Sequence, residues 1–124
     1  MAIYFADSYA LIEMLKGNSG YLPFSGEQLL TTEFNVCEVA FAVCRDYPRT
    51  ANATIAFLRS VVTVVETDDE DYCSGAFFRR ETTGNGLKLS MIDCIGYSVA
   101  KRLRVPFLTG DREFKDLEDV KFVR

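Results

Sequence analysis

Five short apolar runs that alternate with segments of helical periodicity constrain the fold more than any other feature of the sequence. The runs cover residues 2–6, 28–32, 61–65, 106–109 and 120–123. Each is apolar almost throughout, which is typical of parallel strands that are covered on both faces. The segments between them place apolar side chains at helical spacing. The sequence therefore predicts an α/β domain with three layers, α/β/α, around a five-stranded parallel sheet.

Turn and cap signals divide the helical segments. The tripeptide 46–48 stops a helix that begins near Glu33, and residues 50–60 are predicted to form the next one. A hydroxyl and a carboxylate in 67–70 have the spacing of a capping box, for a helix that runs to about Arg80. We find no repeat or linker, so a single domain over residues 1–124 is expected.

Composition narrows the class of protein. A chain of 124 residues with 48% hydrophobic and 26% charged residues is long enough to bury one core. No apolar run approaches the roughly 18 residues of a membrane span, and residues 1–7 lack the charged start of a secretory signal. We therefore expect a cytoplasmic protein with no membrane association.

The absence of histidine limits the chemistry. Four cysteines occur without a C-x-x-C pair, so zinc fingers, zincins and redox motifs are excluded, as is catalysis by Ser-His-Asp or Cys-His. Cys37, Cys44 and Cys94 lie within helical patterns and are interpreted as small core thiols. Any reaction must use carboxylates, hydroxyls, Lys, Arg or a metal.

Four acids are predicted to meet at one edge of the sheet. Asp7 directly follows the first strand, and Asp111 follows the fourth. Glu38 lies about one turn into the helix after the second strand, and Asp93 lies near the start of the helix before the fourth. If the strand order is 3-2-1-4-5, strands 1 and 4 border the crevice where open α/β sheets bind ligands.

Each acid also has a structural interpretation. Asp7 and Asp111 are candidate helix N-caps, while Asn35 with Glu38 and Ser90 with Asp93 resemble capping boxes. Four carboxylates close together would repel one another unless they bind a cation or share protons. With oxygen donors alone, the expected cation is Mg²⁺ or Mn²⁺. Such ions activate water and stabilise charge on a phosphodiester, so metal-dependent phosphodiester hydrolysis is the chemistry that suits this pattern.

Four short motifs together resemble a PIN domain. They are Asp7, Asn35-x-x-Glu38, Asp93 within Ser-Met-Ile-Asp, and Thr109-Gly110-Asp111 followed by Phe114. Within that superfamily, the length and the closing motif are similar to VapC, the ribonuclease toxin of VapBC toxin–antitoxin pairs. The resemblance extends from Ile3 to Val123. One departure is Tyr9, where the family often has a small hydroxyl residue.

The resemblance implies a sheet of order 3-2-1-4-5, Mg²⁺- or Mn²⁺-dependent endoribonuclease activity, a homodimer and a cognate antitoxin. It also implies that Asp7, Glu38, Asp93 and Asp111 are the metal-binding catalytic acids. Neighbouring polar residues would support them, namely Ser8, Asn35, Ser90, Thr109 and Glu113.

A basic RNA-binding surface is less evident. The formal net charge is −4, which argues against a generic nucleic-acid binder unless bound divalent cations offset it. Lys88 and Arg112 are the basic residues nearest the acids in sequence and are predicted to contact RNA phosphates. Further basic residues are either phosphate contacts or solvated helix faces: Arg79, Arg80, Lys101, Arg102 and Arg104.

Two other functions fit the same residues. One is a PIN nuclease that acts in RNA processing, or on DNA, without an antitoxin. The other is a PIN-like interaction module in which the acids serve as caps and no reaction occurs.

Overall fold

The computed structural model describes residues 1–124 and contains five strands, five α-helices and two short 3₁₀ helices. The strands are β1 (Ile3–Ala6), β2 (Gln28–Thr31), β3 (Thr63–Val64), β4 (Phe107–Thr109) and β5 (Val120–Phe122). The helices are α1 (Ser8–Leu15), α2 (Glu33–Asp46), α3 (Ala51–Val61), α4 (Asp69–Gly84) and α5 (Met91–Leu103). The 3₁₀ helices are Ser19–Phe24 and Arg112–Phe114. No helix is both long enough and apolar enough to span a membrane.

The strands form one parallel sheet of order β3-β2-β1-β4-β5, as predicted. β1 lies in the centre, with Phe5 opposite Leu30 of β2 and Ala6 opposite Leu108 of β4. The chain moves outward from β1 to β3 and then returns to the other side of β1. This reversal places the carboxyl ends of β1 and β4 side by side.

Alternate residues of the strands supply two hydrophobic cores, one on each face of the sheet. Ala6 and Leu108 pack with side chains of α1, α2 and α3. Phe5 and Phe107 pack on the opposite face with α5, and their rings stack with centroids 5.5 Å apart. A side chain at Gly96 of α5 would place its Cβ 3.0 Å from the Phe5 ring. The three-layer architecture follows from this two-sided burial.

Helices α4 and α5 are joined by close packing and by an ion pair. A Cβ at Gly75 would lie 3.1 Å from backbone atoms of Ile95, so glycine permits the close approach. Asp71 is 2% exposed and accepts two hydrogen bonds from Arg102, of 2.8 and 3.0 Å. Burial alone would raise the pKa of Asp71, but the hydrogen bonds from Arg102 and from the Asp68 backbone lower it overall.

Several local expectations were wrong. The capping box of α4 is formed by Asp68 and Asp71, because each side chain accepts from the other's backbone N–H, and Thr67 hydrogen-bonds the Tyr72 hydroxyl instead. Helix α4 continues to Gly84 rather than ending near Arg80.

The cysteines and the third strand also differ from expectation. Cys94 is buried as predicted, but Cys37 and Cys44 are exposed. Strand β3 is limited to two residues, whereas the apolar run covers residues 61–65.

Substitution of Arg102 by alanine should destabilise the fold by about 2 kcal/mol, because it leaves the buried Asp71 carboxylate without its main donor. Chemical denaturation of Arg102→Ala measures the loss. Arg59→Ala is the matched control, since Arg59 pairs with Glu33 at an exposed site and its loss should destabilise the fold much less. Equal effects of the two substitutions would contradict the role assigned to Asp71.

Candidate functional site

The four predicted acids lie at the carboxyl edge of the sheet. Asp7 follows β1 as the N-cap of α1, and Asp111 follows β4 as the N-cap of the second 3₁₀ helix. Asp93 lies in the first turn of α5, and Glu38 lies in the second turn of α2. These positions bring side chains from four separate segments to the β1/β4 crevice.

Electrostatic interactions link the four acids in pairs. The charges of Asp93 and Asp111 contribute to a raised pKa at Asp7, after the larger effect of burial. The charge of Asp93 likewise contributes at Glu38, and that of Asp111 at Asp93, again after burial. Asp93 is therefore coupled to each of the other three. None of the four forms an ion pair with a lysine or arginine.

Asp7 is the most buried of the four, with 2% exposure. Its Oδ1 accepts from the Ala10 backbone N–H at 2.9 Å, and its Oδ2 accepts from the Thr109 hydroxyl at 2.5 Å. Burial raises the pKa of Asp7 to about 7, although both hydrogen bonds act in the opposite direction. The Thr109 hydroxyl also accepts from the Asp111 N–H at 3.0 Å. One hydroxyl thus ties together the acids that follow β1 and β4.

A chain of polar side chains ends at Glu38. The Thr32 hydroxyl donates to Asn35 Oδ1 (2.6 Å), Asn35 Nδ2 donates to Ser8 Oγ (3.0 Å), and Ser8 Oγ donates to Glu38 Oε1 (2.5 Å). The N-cap of α2 is Thr32, which accepts from the Asn35 N–H. Glu38 makes no capping contact in the structure, so its interpretation as part of a capping box was wrong.

Asp93 and Asp111 do act as caps. Asp93 Oδ2 accepts from the Ser90 N–H at 2.9 Å, and the Ser90 hydroxyl accepts from the Asp93 N–H at 3.0 Å. Asp111 Oδ1 accepts from the Glu113 N–H at 3.0 Å. Each of these aspartates commits one carboxylate oxygen to a backbone donor. The second oxygen of each, like Oε2 of Glu38, has no protein donor and is not buried.

The donor set suits a hard divalent cation. The crevice offers carboxylate and hydroxyl oxygens, with no histidine and no cation to neutralise them. No three acidic or cysteine side chains are arranged at metal-ligand geometry. The chemistry of these donors fits such an ion, while their distances from one another do not form a coordination site.

The basic residues divide into paired and unpaired groups. Arg79 donates to the Leu89 carbonyl, Arg102 pairs with Asp71, and Lys101 pairs with Glu118 and Asp119, so these three hold the fold together. The side chains of Lys88 and Arg112 are exposed and form no ion pair. Glu113 accepts from the Lys88 backbone N–H at 3.3 Å, which links it to the loop before α5.

Two residues that support the site, Thr32 and Arg124, were not predicted from the sequence. Thr32 caps α2 and begins the polar chain to Glu38; its signal was the Thr-x-x-Asn spacing before a helical pattern. Arg124 donates to the carbonyl of Gly110, next to Asp111. No local pattern links residue 124 with residue 110, because β5 brings them together.

The raised pKa of Asp7 should be visible as pH-dependent stability. The folded state retains a proton up to about pH 7, whereas the unfolded chain releases it near 3.8, so the folded state binds the extra proton between these values. The Asp7 contribution to unfolding free energy therefore falls as pH rises from about 4 to 7, at most about 1.4 kcal/mol per pH unit.

Urea denaturation in EDTA tests this with Asp7→Asn, which keeps a capping oxygen for Ala10. The stability of Asp7→Asn relative to the wild type should increase from pH 4 to pH 7 and then level off. Asp116→Asn, at an exposed position, controls for the loss of one charge. A difference that stays constant across this range would contradict the assigned shift.

Comparisons with known proteins place the chain in a family. A model described as the PIN domain matches residues 4–120. VapBC2 from Rickettsia felis, solved with a DNA fragment from its promoter, has a TM-score of 0.79 at 13% identity, with 98% of this chain and 99% of that chain covered. VapC20 from Mycobacterium tuberculosis, described as a sarcin-ricin loop cleaving toxin, has a TM-score of 0.77 at 14% identity, with 98% and 99% covered.

A third similar structure is VapBC-5 of the toxin–antitoxin systems of Mycobacterium tuberculosis, with a TM-score of 0.71 at 21% identity and 100% and 99% of the two chains covered. No functionally curated protein matches the sequence. At these identities the solved structures show a shared fold. The family match runs from β1 to β5 and includes all four acids of the crevice. This chain therefore belongs to the PIN domain family.

Proposed function

We propose that the chain is a VapC-type endoribonuclease that hydrolyses RNA phosphodiester bonds with Mg²⁺ or Mn²⁺. The observation that carries this proposal is the coupled group of four carboxylates, which no lysine or arginine neutralises. The PIN family match and the similarity to toxin–antitoxin structures support it.

The chain's own residues would prepare the site. Glu38, Asp93 and Asp111 would hold the ion through the oxygens that accept no protein hydrogen bond. Asp7 would be the fourth acid of this metal site. The ion, when bound, would activate water and stabilise the charge that develops on the phosphodiester. Backbone donors at the starts of α1 and α5 keep Asp7 and Asp93 in fixed orientations, and the Ser8 hydroxyl does so for Glu38.

The exposed basic residues beside the crevice would bind the substrate. Lys88 lies in the loop before α5, and Arg112 directly follows Asp111. Both side chains lack carboxylate partners, so their charges are available to RNA phosphates. The small number of such residues fits a site in which bound cations supply part of the positive charge.

One observation favours the alternative of a non-catalytic interaction module: Asp7 and Asp111 are N-caps, and Asp93 belongs to the capping box of α5. Capping, however, uses one oxygen of each and leaves the repulsion between them uncompensated. It also gives no reason for the polar chain that ends at Glu38. A nuclease in RNA processing that has no antitoxin would use the same acids.

We further propose a protein antitoxin as the partner, acting in the cytoplasm. An apolar groove of about 500 Å³ lies between α1, the first 3₁₀ helix and α3, and 11 of its 15 lining residues are hydrophobic. Leu22, Phe57 and Val61 on this groove are largely exposed. Exposed apolar patches of this kind mark interaction surfaces, and four of the solved structures with this fold are described as VapBC.

A homodimer would cover a different apolar surface. Helix α2 exposes Cys37, Phe41 and Cys44 at helical spacing, and α4 exposes Cys73 and Phe77. The two helices meet where the Phe34 and Tyr72 rings pack edge to face, and Phe41 and Phe77 are 72% and 71% exposed. We propose that a second copy of the chain packs on these two helices.

Asp93→Asn tests the catalytic proposal, because it keeps the capping oxygen and removes the charge coupled to the other three acids. We expect cleavage of a fluorescent single-stranded RNA with Mg²⁺ or Mn²⁺, abolition by EDTA, and a loss of about 100-fold or more in Asp93→Asn. Asp116→Asn serves as the control. Cleavage that survives both EDTA and the Asp93 substitution would refute the proposal.

The dimer surface can be tested separately from the groove. Phe41→Glu should convert a dimer to a monomer in light scattering coupled to size exclusion, because it introduces a charge into an apolar contact. Phe57→Glu, in the groove, is the matched control and should leave the dimer intact. A wild-type monomer at micromolar concentration, or a dimer in Phe41→Glu, would exclude this surface.

A further inference from the structure

Arg124 lies beside the loop that joins β4 to the second 3₁₀ helix. Its Nη1 donates a 2.9 Å hydrogen bond to the Gly110 carbonyl oxygen. Its guanidinium carbon lies 5.8 Å from the centroid of the Tyr9 ring, within the range of a cation–π interaction. Arg124 forms no ion pair with a carboxylate. Its contacts are instead with one peptide group and one aromatic ring.

The peptide group between Gly110 and Asp111 is held from both sides. Its carbonyl accepts from Arg124, and its N–H donates to the Thr109 hydroxyl at 3.0 Å. Because a peptide group is planar, these two bonds fix the orientation of the whole plane. They thereby fix the plane from which the Asp111 Cα extends, and the Glu113 N–H, which donates to Asp111 Oδ1 at 3.0 Å, holds the carboxylate itself.

Tyr9 packs against the same loop from α1. A Cβ at Gly110 would lie 2.5 Å from the Val123 carbonyl oxygen and closer still to the Tyr9 ring, so only glycine fits there. The nearest atoms of the Tyr9 side chain are ring carbons. Tyr9 thus fills the space beside the Gly110–Asp111 peptide.

The segment after β5 is held so that Arg124 reaches this loop. The Val123 N–H donates to the Thr109 carbonyl at 2.8 Å, and the Tyr21 hydroxyl donates to the Val123 carbonyl at 2.5 Å. Two hydrogen bonds therefore fix the residue before Arg124. The position of Arg124 is set by the sheet and by the first 3₁₀ helix.

We propose that Arg124 and Tyr9 are positioning residues for Asp111, which hold the Gly110–Asp111 peptide in the orientation from which the carboxylate binds a divalent cation. The catalytic consequence rests on the proposed function. In this arrangement both side chains act through the Gly110–Asp111 peptide. A direct contact between Arg124 and an RNA phosphate is the competing interpretation, and it has a different kinetic signature.

Binding of Mn²⁺ alone, measured by isothermal titration calorimetry, tests the proposal without RNA. Arg124→Gln and Tyr9→Leu should each weaken Mn²⁺ binding about 10-fold, as expected for residues that orient a metal ligand. Tyr9→Phe should bind as the wild type does, because it keeps the ring. Arg49→Gln removes an exposed arginine and controls for charge. Unchanged affinity in both Arg124→Gln and Tyr9→Leu would overturn the proposal.

RNA cleavage separates positioning from phosphate binding. Positioning predicts that Arg124→Gln lowers kcat and leaves KM for RNA and its salt dependence unchanged. A phosphate contact would raise KM and make it less dependent on salt. That second result would overturn the positioning role.

Amide hydrogen exchange decides the question even if the proposed function fails. The Asp111 N–H should exchange faster in Arg124→Gln than in the wild type or Arg49→Gln, while thermal unfolding stays cooperative. If the wild type neither binds Mn²⁺ nor cleaves RNA, the nuclease proposal fails. Faster exchange of the Asp111 N–H in Arg124→Gln would still support the role of Arg124 in holding the Gly110–Asp111 peptide. Equal exchange in all three proteins would refute it.

Discussion

Repulsion between carboxylates at one edge of a parallel sheet is the constraint on which this structure depends. The topology places the starts of α1 and α5 and the loop after β4 at the same edge, and each brings an aspartate. No lysine or arginine neutralises them. Burial opposes the charged form more strongly than the repulsion does, above all at Asp7, where it raises the pKa to about 7. Backbone N–H groups and hydroxyls stabilise the carboxylates by hydrogen bonds, but they do not cancel the negative charge.

In the proposed metal site, capping a helix and binding an ion do not exclude each other. Asp93 and Asp111 each use one oxygen for a backbone N–H and keep the other free. A cap fixes the rotamer of the carboxylate, so it prepares the second oxygen for a ligand. Glu38 is also held through one oxygen, but by side chains. The Ser8 hydroxyl donates to it, at the end of a chain of hydrogen bonds that begins at Thr32.

Features that depend on local pattern or on chain direction could be predicted from the sequence. Contacts between residues that lie far apart in the chain could not. Apolar runs and helical spacing indicated the parallel sheet, and the family resemblance supplied its order, which the structure has. The acids could be assigned to one edge because strand ends are visible in sequence. Arg124 could not be linked to Gly110, since the link exists only through the pairing of β4 with β5.

The burial of two cysteines was also predicted wrongly. Periodicity placed Cys37 and Cys44 in a helix but could not tell which face of α2 meets the core, because Phe41 and the two cysteines are as apolar as the buried face. Likewise, two adjacent acids after Thr67 made two capping boxes possible, and only backbone geometry selects Asp68 with Asp71. In both cases neighbouring residues of similar chemistry competed for one role.

Because the acids also cap helices, one substitution can remove the charge of an acid and still keep the hydrogen bond that caps the helix. Asparagine is as good an N-cap as aspartate, and its carbonyl oxygen can accept the same backbone hydrogen bond that Asp93 accepts from Ser90. A single change to asparagine at Asp93 or Asp7 can therefore remove a charge from the crevice and keep the backbone hydrogen bond of the helix start. In evolutionary terms, the charge of the crevice can change without an intermediate that loses a helix start, so lineages with and without that charge can share one architecture.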